Sequence, residues 1–130
     1  MTEETIVRLT VASETLTPLQ LEQEIGLPAD FTWIKGAQRP KTIIKERDSG
    51  WGITGPSAAA GIDVPLDSLL RRVRPHARAL KRLSATNNRV ELSVVIYCRE
   101  SPPLVIPNSV IAAMAEIGAA LDIDVILTER

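Results

Sequence analysis

The chain holds one histidine, His76, and one cysteine, Cys98. A zinc site draws about four ligands from Cys, His and carboxylates, so neither residue completes a usual ligand spacing, and no metal or cofactor is expected. A lone cysteine also excludes an internal disulfide. His76 follows Pro75 at the edge of an apolar helical stripe. That is the place of a half-buried structural histidine rather than of a general base, which needs several converging groups around it. Cys98 closes a strand-like run and reads as a partly buried, inert thiol. Asp122 and Asp124 lie on one strand face, Asp122 as a turn residue and Asp124 pointing outward, and nothing places them in a cleft for acid–base work. Gly50-Trp51-Gly52-Ile53-Thr54-Gly55 has glycines at hairpin spacing but opens no helix, so it is no phosphate cradle. No catalytic residue is expected. An enzyme, the last-ranked reading, would need a pocket gathering Trp33, Lys35, Tyr97 and Asp124.

The basic, tryptophan-bearing middle of the chain holds the remaining chemistry. Twelve of the 15 Lys and Arg residues fall between Lys35 and Arg89 with only four acidic residues, although the whole chain has a net charge of −1. Three of its four aromatics, Phe31, Trp33 and Trp51, lie in or beside a run of Lys35, Gly36, Arg39, Lys41, Lys45 and Arg47. Cations and stacking surfaces together suit an acidic protein partner or a single nucleic-acid strand. The same pattern also describes a solvated edge hairpin whose tryptophans anchor a small core. Arg74 and Arg78, on a helix further along, extend the basic surface. The acidic ends leave the protein without the strong positive balance usual for nucleic-acid domains, so nucleic acid ranks below a protein partner.

The elements that must position these residues follow from pattern. Residues 5–12 alternate as a half-buried strand, with Thr5, Val7, Leu9 and Val11 on one face. Thr17-Pro18-Leu19-Gln20 supplies an N-cap, a proline at the first helical position and a capping box, with Leu16 and Leu21 as hydrophobic staple. That helix stops at Gly26, and Pro28 blocks a restart. Residues 31–34 form a short strand and 41–47 extend again. Asp48-Ser49-Gly50 then makes a three-residue hairpin connection to a partner strand over 51–54. After a loop over 55–61, a helix begins at Pro65 and carries one stripe of Leu66, Leu69, Leu70, Val73, Ala77, Leu80 and Leu83. Pro75 inside it predicts a kink or two helices in tandem near Arg74. Residues 90–97 are the clearest strand, Pro102, Pro103 and Pro107 hold off helix until Asn108, a third helix spans 108–118, and 123–128 close as a strand.

Ile25-Gly26 before Asp30-Phe31 and Ile117-Gly118 before Asp122-Ile123 repeat at the same distance, which suggests two βαβ units flanking a central hairpin and a basic helix. The expected architecture is one α+β domain over residues 1–130. It is a two-layer sandwich in the ferredoxin-like neighbourhood, with a mixed sheet of about five strands and three helices mainly on one face.

Trp33-Ile34-Lys35-Gly36, Gly50-Trp51, the 90–97 strand and the run from Ile117 to Asp124 resemble, in order and spacing, the bacterial family catalogued as domain of unknown function 4279. The likeness extends from about residue 6 to 127 and departs from the family pattern at Arg39-Pro40. It implies a small bacterial protein and supplies no reaction. The start of the chain is acidic, with no apolar export segment. The longest uncharged stretch, 101–115, contains three prolines in its 15 residues and is too short to span a bilayer. A cytoplasmic location with no membrane contact is expected. The reading that results is a non-catalytic interaction module, of accessory or immunity type, whose partner is an acidic protein or a second copy of itself.

Overall fold

The computed structural model describes residues 3–59, 61–100 and 103–128. Five strands, β1 (Glu4–Ser13), β2 (Phe31–Trp33), β3 (Ser49–Thr54), β4 (Arg89–Cys98) and β5 (Ala120–Leu127), form one sheet in the order β2-β3-β1-β4-β5. Strand β1 pairs antiparallel with β3 and β4, β2 pairs antiparallel with β3, and β5 runs parallel to β4. The first four strands, with helix α1 (Pro18–Ile25) between β1 and β2 and helices α2 (Asp63–Val73) and α3 (Ala77–Ser84) between β3 and β4, make the split βαβ arrangement of ferredoxin-like folds. Helix α4 (Asn108–Ile117) and β5 extend it by one strand.

Local chemistry sets the helix ends. Gln20 N–H donates to Thr17 Oγ1 at 3.2 Å while Thr17 N–H donates to Gln20 Oε1 at 2.9 Å, closing the capping box. Helix α1 ends at Gly26 in the left-handed conformation, φ 77°, and α4 ends the same way at Gly118, φ 69°. The long second helix is two helices in tandem, α2 and α3, joined by a 3₁₀ turn over Arg74–His76, because Pro75 removes a backbone donor. It begins two residues ahead of Pro65, which sits in the first turn where its missing N–H is harmless.

Alternation on the strands decides which face is buried. Val7, Leu9 and Val11 of β1, Trp51 and Ile53 of β3, and Val90, Leu92, Val94 and Ile96 of β4 pack under the helices with Leu21, Leu66, Leu69, Val73, Leu80 and Ile117. The opposite sheet face carries Arg8, Thr10, Phe31, Trp33, Glu91, Tyr97, Asp122 and Asp124, in keeping with the strand registers.

Three sequence expectations change. Residues 41–47 are not a strand, and Asp48-Ser49-Gly50 is not a hairpin loop: Ser49 and Gly50 already belong to β3, whose partner is β2. Of the two βαβ units, only β4-α4-β5 joins adjacent parallel strands, since β3 is inserted between β1 and β2. Strand β5 starts at Ala120, three residues before the alternation became legible. Ser101 and Pro102 of the proline-rich stretch lie outside the described residues.

Candidate functional site

Residues 34–48 connect β2 to β3 and fold back on themselves as an arm. Gly36 N–H donates to the Glu46 carbonyl, Glu46 N–H to that of Ala37 and Arg39 N–H to that of Ile44, each at 2.8 Å, with a bridge between Gln38 and Lys45. Thr42 closes the tip, its N–H and hydroxyl both donating to the Arg39 carbonyl, while the Gln38 amide reaches the Thr42 carbonyl. Lys41 adopts φ 60°, a left-handed conformation that is unusual for lysine and turns the chain at the tip. Arg39 Nε donates to Glu46 Oε1 at 2.7 Å, and that carboxylate holds the guanidinium still more firmly protonated. At the root, Lys35 N–H donates to Ser49 Oγ at 2.9 Å.

The arm gathers six of the residues singled out in the sequence, Lys35, Gly36, Arg39, Lys41, Lys45 and Arg47, all exposed. It adds three aliphatics that the sequence reading placed in strands: Ile34, Ile43 and Ile44 are 61%, 92% and 51% exposed. Isolated exposed aliphatics are ordinary, but three on one small arm among five cations are not. The available signal was Ile43-Ile44 between Lys41 and Lys45, an apolar pair bracketed by charge within a segment with no strand left to pair with.

The two tryptophans part company. Trp33 lies half-buried on the open sheet face with its ring over Gly50, and Phe31 lies over Gly52, their ring centroids 6.1 Å apart. A Cβ on either glycine would fall inside the ring above it, so both glycines serve close approach. Trp33 Nε1 donates to Asp48 Oδ1 at 2.9 Å, Arg89 meets the other oxygen of Asp48 at 3.5 Å, and Arg8 sits 5.8 Å from the Phe31 ring centre. Trp51 points the other way, fully buried, with Nε1 donating to the Leu27 carbonyl at 2.9 Å. It is a core anchor and leaves the candidate surface, because β3 alternates Gly outward with Trp and Ile inward.

Arg74 and Arg78 lie in the helical layer, away from the arm. They border a groove of about 200 Å³ between α2 and α4, floored by Leu70, Val73, Val110 and Ile117, and its shallow continuation along α3. Nearby charges are tied: Arg71 pairs with Asp67 at 2.6 Å, and Arg72 forks onto both oxygens of Asp30 at 3.0 and 3.1 Å. The Arg72 fork, with the Thr54 N–H donating to the same carboxylate, holds Asp30 below its ordinary value. Arg74 and Arg78 have no ion-pair partner among the described residues.

The remaining candidates for chemistry are structural. His76 Nδ1 donates to the Ile25 carbonyl at 2.9 Å, tying the 3₁₀ turn to the end of α1. Cys98 is buried. Among the described residues no group of three or more His, Cys, Asp or Glu is placed to hold a metal ion, and no helix is long and apolar enough to cross a membrane. Trp33 and Lys35 flank the arm's root while Tyr97 and Asp124 lie on β4 and β5 at the far side of the sheet, so the four residues of the enzyme reading share no pocket.

Fold and surface together define a small ferredoxin-like α+β protein with an added αβ unit and a cationic, aliphatic-tipped arm. The chain belongs to the family described as Domain of unknown function (DUF4279), whose model matches residues 3–128. Neither a search of curated proteins nor one of solved structures returns a match.

Proposed function

We propose that the protein is a non-catalytic binding module that grips an acidic protein partner with the arm. The observation that carries this reading is Ile43, 92% exposed at the arm's tip between Lys41 and Lys45. A side chain so placed contributes nothing to the core, and it gains most by entering an apolar pocket on another molecule. The cations around it would steer a partner whose pocket is rimmed by carboxylates. The arm's own hydrogen bonds order it in advance, which lowers the entropy lost on docking. Nucleic acid is less well supported, since only one of the two tryptophans is on the surface and the sheet face beside it bears Glu91, Asp122 and Asp124.

The test is affinity capture from the host's lysate, with and without nuclease, followed by titration of the purified partner. Wild-type protein retains one stoichiometric partner that survives nuclease, whereas Ile43→Ser and Lys41→Glu/Lys45→Glu each weaken it by roughly tenfold or more. Capture of nucleic acid alone, or retention unaffected by both variants, contradicts the proposal.

A further inference from the structure

Strand β5 is an edge of the sheet, and no described element pairs with its outer side. Its backbone parity is fixed: Thr128 N–H donates to the Cys98 carbonyl at 2.8 Å, so the even-numbered residues of β5 turn their main-chain groups toward β4. Leu121, Ile123, Val125 and Leu127 therefore aim theirs away from the sheet. The side chains of the first three are half-buried, and Leu127 is 61% exposed. A long apolar edge with free donors and acceptors is a template for another strand.

We infer that the occupant is β5 of a second copy, paired antiparallel about a two-fold axis at Val125 to make one continuous sheet across a dimer. The register is chosen by charge and length. An axis at Asp124 would set that carboxylate against its own copy, and an axis at Ile123 would oppose Asp122 to Asp124 twice. With the axis at Val125, Asp124 faces Ile126, Ile123 faces Leu127 and Asp122 faces Thr128, so no like charges meet directly. Axes nearer the C-terminus shorten the paired stretch. Val125, with outward main-chain groups, then forms a hydrogen-bonded pair with its own copy, and the closed two-fold contact leaves no further free β5 edge. This pairing is independent of the arm.

Sedimentation of the full-length protein tests it. Wild type sediments as a dimer at micromolar concentration, and Val125→Pro, which removes only an outward N–H, halves the mass while the circular dichroism stays native. Leu127→Lys, at an exposed position, does the same and serves if the proline variant fails to fold. Val125→Cys oxidises to a covalent dimer, since hydrogen-bonded antiparallel pairs place Cα atoms about 5.5 Å apart, within disulfide reach; Asp122→Cys does not. A wild-type monomer, a dimer that survives both Val125→Pro and Leu127→Lys, or cross-linking at 122 as efficient as at 125 overturns the inference.

Discussion

The hairpin stem and the arm it carries come from one continuous basic, aromatic stretch, yet they obey different physics. In the stem, Trp51 and Ile53 face the helices and Gly50 and Gly52 face outward under Trp33 and Phe31, so each residue's role is set by strand parity. In the arm, short-range main-chain bonds hold the backbone, and no side chain joins the core. Proximity in sequence is therefore a poor guide to a shared surface: Trp51 and Arg47 are four residues apart and belong to the interior and to solvent.

Substitutions can break or sharpen this contrast. The largest effect is expected at Trp51→Ala, which should cost about 3–5 kcal/mol in urea unfolding because it opens a cavity under the sheet and strands the Leu27 carbonyl. Gly52→Val should cost about 1–3 kcal/mol, since its side chain must displace the Phe31 ring; a neutral result would mean that the aromatic pair is free to lift off the sheet. Asp30→Asn should cost about 1 kcal/mol or less at neutral pH, a figure kept small because solvent screens the half-exposed pair with Arg72. Its sign with pH is definite. Because the folded-state value of Asp30 is lowered, its contribution is whole above the ordinary aspartate range and fades as pH falls through the lowered value, so wild type and Asp30→Asn should converge in acid denaturation. The smallest effect belongs to the arm. Lys41→Glu/Lys45→Glu should leave the unfolding midpoint within about 0.5 kcal/mol of wild type.

What the sequence made legible was local. The capping box at Thr17 and Gln20, the left-handed stops at Gly26 and Gly118, the Pro75 break and the alternation of β4 are written in neighbouring residues, and all appear in the fold. What it hid was long-range. Residues 41–47 have strand-like composition, and only the pairing of β2 with β3 leaves them without a partner. Trp51 could be assigned to the core only once Val11 was known to sit opposite it. Within the candidate surface the cations were legible because charge stays on the outside almost anywhere. Ile34, Ile43 and Ile44 were not, because an isoleucine is presumed buried until the fold runs out of room for it.

The central claim is that the arm binds and the stem folds, and one paired measurement bears on it most directly. Wild type and Ile43→Ser are compared for unfolding midpoint and for affinity toward the captured partner. The account predicts superimposable unfolding curves and an affinity weakened by roughly tenfold or more. Unchanged affinity, or a midpoint that falls with it, would contradict the account.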